Sequence, residues 1–119
     1  MELTMLKCKI HRAVVTDADL SYEGSVSIDP VLCDAAGLHE FERVDIYNCN
    51  NGARFSTYVI HGKPQEICLN GAAARMVCKG DVVIIAAFIG VKDNEVREHK
   101  PSLVFVDEHN KIKTIKHKH

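Results

Sequence analysis

Polar and apolar positions alternate most cleanly from Met5 to Val14, with Leu6, Cys8 and Ile10 on one parity and Lys7, Lys9 and His11 on the other. A period of two is the signature of a half-buried β-strand, so Lys9 and His11 are predicted to share a face. Thr16 to Asp19 reads as a loop, and Tyr22-Glu23-Gly24-Ser25 as a turn leading into Val26 and Ile28. Asp29-Pro30 places an N-cap before a proline at the first helical position, which predicts a short helix over Val31 to Ala36 stopped by Gly37. Arg43 to Asn50 and Ala53 to Ile60 are strand-like runs flanking Asn51-Gly52, the dipeptide that best tolerates the two positive φ angles of a type I′ turn, and together they predict a hairpin. Ile67 to Leu69 is a short strand, and Gly71 to Cys78 reads as a helix stopped by Gly80. Val82 to Ile89 is unbroken apolar sequence, predicting a strand buried on both faces. Lys92 to Pro101 is a charged connector with one helical turn around Glu95 to Glu98. Ser102 to Val106 and Lys111 to Ile115 form a last hairpin around Glu108-His109-Asn110.

Six or seven short strands with two or three brief helices predict a mainly β fold, a small closed barrel, because closure removes the edges that short strands would otherwise expose. Composition agrees with this. Trp is absent and aromatic residues make up 6%, so the core must be built from Val, Ile, Leu, Ala and Cys. A chain of 119 residues makes one domain. Fifteen basic against sixteen acidic residues leave no global positive field, so nucleic acid is not an expected partner. The longest apolar run, Val82 to Val91, is about half of the roughly 20 residues a membrane helix requires. Glu2, Lys7 and Lys9 break up any leader at the start of the chain, so a cytoplasmic protein with no membrane partner is expected.

Five cysteines without a C-x-x-C pair predict reduced thiols, with Cys8, Cys33, Cys68 and Cys78 as small core hydrophobes. Seven histidines without paired spacing predict no metal site. All four lysines of Lys111 to His119 stand without an acidic neighbour, which predicts a solvated tail whose final His-Lys-His is at most a weak accidental metal ligand.

Nucleophile elbows, zinc signatures and phosphate loops are missing, which leaves Gly24-Ser25, a dipeptide common by chance. Its surroundings are more specific. In register along nearly the whole chain stand His11-Arg12, Asp17-Ala18-Asp19-Leu20, Tyr22-Glu23-Gly24-Ser25, Asp34-Ala35-Ala36-Gly37, Asn51-Gly52, Arg54-Phe55-Ser56-Thr57-Tyr58, Asn70-Gly71-Ala72-Ala73-Ala74 and Gly80-Asp81. This set resembles the aspartate 1-decarboxylases, small pyruvoyl-dependent enzymes that make β-alanine for pantothenate and coenzyme A biosynthesis. Two departures are Tyr47, where members of the family often carry Trp, and a short Gly62 to Glu66 connector.

The resemblance implies a double-ψ β-barrel that assembles as a cytoplasmic homotetramer with active sites between subunits. It implies that the precursor cuts itself between Gly24 and Ser25, into chains 1–24 and 25–119, and that Ser25 becomes a covalent pyruvoyl group, with neither metal nor pyridoxal phosphate. Gly24 suits this role because a missing Cβ opens its carbonyl to attack. The implied roles are Thr57 for the oxygen of the tetrahedral intermediate, and the new ketone as the Schiff-base partner of the α-amine of L-aspartate. Tyr58 is implied as proton donor to carbon. Lys9, His11, Arg54, Thr57, Gly71, Ala72 and Ala73 are implied as substrate contacts, supported by Tyr22, Tyr47 and Asn70. Whether cutting is spontaneous or needs a maturation partner protein stays open.

Taken singly, the same residues have ordinary readings. Lys9 and His11 fit a solvated strand face, Arg54 an exposed hairpin charge, Thr57 and Tyr58 sheet formers, and Ala72 to Ala74 a helix interior. Two other functions follow from those readings: a pyruvoyl decarboxylase acting on another amino acid, and an uncleaved barrel that serves as a binding module.

Overall fold

The computed structural model describes residues 1–118 as nine strands, one α-helix and two 3-10 helices. The strands are β1 (Glu2–Val14), β2 (Asp17–Asp19), β3 (Ser25–Ile28), β4 (Arg43–Asn48), β5 (Arg54–His61), β6 (Ile67–Asn70), β7 (Val82–Lys92), β8 (Ser102–Val106) and β9 (Ile112–Lys116). They pair in the order β2-β6-β3-β5-β4-β7-β1-β8-β9. Because β2 continues β1 after Val15 and Thr16, one stretch of chain pairs with β7 at its start and with β6 at its end. The backbone N–H of Thr16 donates to the Ile67 carbonyl at 2.8 Å and its hydroxyl exchanges hydrogen bonds with the same residue. Six strand positions thus come round on themselves, and the β8–β9 hairpin lies against β1. The pairs β2–β6 and β3–β5 are parallel, whereas β3–β6, β4–β5 and β4–β7 are antiparallel. The core is aliphatic, with Ile10, Ile28, Leu32, Ile46, Ile67, Leu69 and Ile85 all sealed from solvent.

Local chemistry explains the elements. Asp29 caps helix α1 (Pro30–Ala36), accepting from Val31 N at 2.9 Å, and Gly37 ends the helix at φ 76°. The second oxygen of Asp29 accepts from Gln65 N at 2.7 Å and so anchors the loop before β6. Asn110, buried in the last hairpin, bonds the carbonyls of Val14 and Gln65 and accepts from Val14 N, tying β8–β9 to the closing segment.

Several expectations are corrected. The β4–β5 hairpin forms, but only Gly52 of the Asn51-Gly52 pair has positive φ (77°), and Asn48 N bonds Ala53 O across a four-residue loop rather than a type I′ turn. Asn51 instead turns its side chain to Ala53 N and Met76 O. Strand β1 begins at Glu2 and is interrupted twice, at Lys7 and near Arg12, whose φ is 62°. The stretch read as a loop after Thr16 carries β2. Gly71–Met76 is a 3-10 helix, and Val77 is already extended, so Gly80 turns the chain after the helix has ended. Strand β7 is buried through Ala87 only; Phe88 and Ile89 are 44% exposed. All five cysteines are free thiols, but Cys78 is exposed rather than a core residue. No helix among the described residues is long and apolar enough to cross a membrane. Of the terminal His-Lys-His, His119 lies outside the described residues.

Candidate active site

Strand register builds the centre of the site. Ser25 opposes Asn70 and Ser27 opposes Cys68 across the antiparallel β3–β6 pair, so four polar side chains meet on one face. Ser25 is 1% exposed. Its Oγ accepts from Asn70 Nδ2 at 2.9 Å and donates to the Glu23 carbonyl oxygen at 3.1 Å. The hydroxyl is therefore held on both sides, within one residue of the Gly24 carbonyl. Asn70 Nδ2 also donates to Ser27 Oγ at 3.1 Å, and Asn70 Oδ1 accepts from the Cys68 thiol at 3.3 Å.

Gly71 shows why this corner is built from small residues. It sits at φ 63°, and a Cβ there would fall 2.7 Å from both N and Cα of Gly24 and 3.0 Å from the Tyr22 carbonyl oxygen. The start of the 3-10 helix is thus pressed against the Gly24 backbone, an approach that only glycine permits. Beyond it a cavity of about 500 Å³ is lined by Gly24, Phe55, Ser56, Thr57, Tyr58, Ala72, Ala73 and Met76. On the other side, Asn70, Cys68, Ser27 and Tyr22 border a second cavity of about 490 Å³. A larger hollow of about 770 Å³, between Lys7 and the 3-10 helix Asp93–Glu98, includes none of the candidate residues.

One chain therefore brings together Gly24, Ser25, Thr57, Tyr58, Asn70, Gly71, Ala72 and Ala73, with Tyr22 at their edge. It places Lys9, His11, Tyr47 and Arg54 elsewhere. Arg54 opposes Tyr47 on β4, and its guanidinium lies 4.0 Å from the centre of that ring. Since β4 and β3 flank β5 on opposite sides, this stacking carries the Arg54 charge away from Ser25. Lys9 shares a register row with Ala86 and Asp45, and His11 packs edge-on to Phe105 at 5.2 Å. By strand alternation Tyr58, Arg54, Tyr47 and Lys9 all stand on the outward face of the sheet. Ala86, in the middle of that face, is buried yet outside the core cluster, as expected for a small residue overhung by larger neighbours.

The sequence reading missed Cys68 and Ser27 as partners of Asn70, and Phe55, Ser56 and Met76 as cavity walls. Alternation along β3 and β6 was the available signal: Ser25 with Ser27, and Cys68 with Asn70, are each two residues apart. No group of His, Cys, Asp and Glu side chains among the described residues could hold a metal ion.

Comparison with known proteins places the chain in a family. Residues 1–113 match the family described as Aspartate decarboxylase. The chain is 63% identical over 112 residues to an aspartate 1-decarboxylase of Bdellovibrio bacteriovorus, covering 94% of this chain and 90% of that one. It is 60% identical over 115 residues to the aspartate 1-decarboxylase of Syntrophus aciditrophicus, covering 95% and 99%. Over 116 residues it is 55% identical to that of a Hydrogenobaculum species, covering 98% and 93%.

Proposed function

The chain belongs to the aspartate decarboxylase family, and from that premise we propose that it removes the α-carboxyl group of L-aspartate with a ketone made from its own Ser25. Loss of that carboxylate as carbon dioxide leaves β-alanine. The observation that carries the reading is the pinned Ser25 hydroxyl, bonded to Asn70 and Glu23 beside a Gly24 backbone that Gly71 crowds.

Cleavage follows from these residues. Ser25 Oγ adds to the Gly24 carbonyl carbon; the tetrahedral adduct then collapses to an ester with the C–N bond broken, and the hydroxyl proton ends on the freed amine. Thr57, on the wall of the same cavity, is the donor for the oxygen that becomes negative during attack. Elimination then passes the Ser25 Cα proton to water and breaks the Cβ–Oγ bond, forming a Cα–Cβ double bond and releasing residues 1–24 as a carboxylate. Water replaces the remaining nitrogen, which leaves as ammonia. The small walls Gly71, Ala72 and Ala73 leave room for a substrate against such a group, so the residues present fit it.

When formed, the ketone supplies an electrophilic carbon for an amine and a sink for the electron pair that the departing carboxylate leaves behind. Tyr58, bordering the cavity, donates a proton to the resulting carbon. Arg54 offers a planar two-bond grip on the remaining carboxylate and Lys9 a second positive charge. Within one chain Arg54 stands four residues, about 13 Å along the strand, from Tyr58 and leans toward β4. A second copy therefore supplies Lys9, His11, Tyr47 and Arg54 to the cavity beside Ser25, in a homotetramer with its sites between subunits.

Denaturing mass spectrometry with a decarboxylation assay tests the proposal. Wild-type chain, alone or after exposure to a cell extract, resolves into 1–24 and a ketone-bearing 25–119 and releases carbon dioxide from aspartate. Ser25→Ala stays whole and inactive. Turnover by that variant overturns the mechanism; a faster release from another amino acid reassigns the substrate.

A further inference from the structure

The face shared by Ser25, Ser27, Cys68 and Asn70 is nearly sealed, with exposures of 1%, 9%, 6% and 3%. In such a place each polar atom needs a partner. The Asn70 amide directs one N–H to each serine hydroxyl, and this leaves Oδ1 for a donor. The Cys68 thiol is that donor at 3.3 Å; the Leu69 carbonyl, its other neighbour, lies at 4.0 Å.

An asparagine amide is nearly symmetric in shape, so only its hydrogen-bond partners decide which way it faces. Turned over, Asn70 would present Oδ1 to the serines and draw the Ser25 proton away from Glu23. Its N–H groups would then face sulfur, a weak acceptor. On the reading that Ser25 cuts the chain, we infer that Cys68 is a positioning residue for that step: its S–H fixes the Asn70 amide, and the amide fixes the Ser25 hydroxyl. Burial, reinforced by the carboxylates of Glu66, Asp17 and Asp19, pushes the Cys68 thiol up to about 11, so it keeps its proton at neutral pH. Position 68 is thus chemically engaged, unlike Cys8 and Cys33, which belong to the aliphatic core cluster.

The test compares cleavage rates of full-length wild type, Cys68→Ser, Cys68→Val and Ser25→Ala by denaturing mass spectrometry, with thermal melting of each chain before cleavage. Cys68→Val keeps the bulk and loses the donor; it should cleave roughly 3- to 10-fold more slowly. Cys68→Ser keeps a donor and should stay within about twofold of wild type. Should Cys68→Val melt too low to follow, Cys68→Ala removes the same donor at lower volume. A donor-free variant as fast as wild type, or a serine variant as slow as valine at equal melting temperature, overturns the role of Cys68. A wild-type chain that stays whole like Ser25→Ala overturns instead the reading of Ser25 on which this rests, so the two failures are told apart.

Discussion

Ser25 is sealed from solvent with its hydroxyl bonded on two sides, whereas Arg54, on the outward face of the sheet, is exposed and rests on the ring of Tyr47. On the proposed mechanism the difference follows from what each would have to do. Chain cleavage is intramolecular, and its attacking and leaving atoms are covalent neighbours, so strand register alone can hold them and water can be kept out. Recognition of an anion from solution needs cations that remain accessible until substrate arrives. The first region lies within one chain; the second, on the proposed reading, is completed by a neighbour.

The largest effect tests that division. Ser25→Ala and Arg54→Ala should each be nearly inactive alone. When the two are co-expressed and assembled together, sites that combine Ser25 of one copy with Arg54 of the other regain function, at roughly a quarter of wild-type activity for random mixing in closed assemblies. Activity no higher than the two variants mixed after separate assembly would place both residues in one chain's site.

The same division governs what could be read before the structure. Period-two alternation in β1 put Lys9 and His11 on one face, and the Asp29-Pro30 cap with Gly37 set helix α1, because these signals are local. The hairpin at Asn51-Gly52 was legible, but its turn was not: Asn51 bonds Met76 and Asn48 bonds Ala53, contacts no dipeptide preference encodes. Strand β2 was missed because three residues form a strand only when β6 lies alongside them. The chemistry of Cys68 was hidden likewise, since a thiol two residues from an asparagine becomes a donor to it only once β3 brings in the two serines. Arg54 stood out in the sequence as a candidate carboxylate contact, yet nothing local indicated that it would lean toward Tyr47 and away from Ser25.

A second, smaller effect probes the closed region from its tightest contact. Gly71→Ala must place a Cβ against Gly24 at positive φ, so the 22–24 backbone has to shift. Backbone strain of this kind costs about 1–3 kcal/mol. Cleavage should slow by about 10-fold or more, with a lower melting temperature. Gly52→Ala, at φ 77° with open space around it, should lower the melting temperature by a similar conformational penalty and leave the cleavage rate unchanged. Equal cleavage rates in the two variants would show that the approach of Gly71 to Gly24 does not shape the scissile bond.

The smallest effect separates support from chemistry. Asp81 Oδ2 accepts from Asn48 Nδ2 at 2.8 Å and from Cys78 N at 2.9 Å, while Asn48 Nδ2 also reaches Met76 O at 3.2 Å. These bonds pin the end of the 3-10 helix whose start presses on Gly24. The Asn48 amide, followed by the Cys78 N–H, holds the Asp81 carboxyl below the usual carboxylate range. Because the folded value lies below the unfolded one, the unfolded chain takes up the proton more readily as the pH falls. The contribution of Asp81 is therefore full above about pH 4 and is lost as the pH drops through the folded value. Asp81→Asn retains an acceptor but not the charge. It should melt a few degrees lower at pH 7, about 1 kcal/mol after allowance for solvent screening, and the gap to wild type should narrow toward pH 3. Its cleavage rate at pH 7 should stay within about twofold of wild type, since a charge-assisted bond at the far end of the 3-10 helix steadies the closed region without touching Ser25. A gap in melting temperature that does not change with pH would remove Asp81 from the acid response. A large loss of cleavage would extend the closed region from Ser25 and the three polar side chains beside it to the whole 3-10 helix.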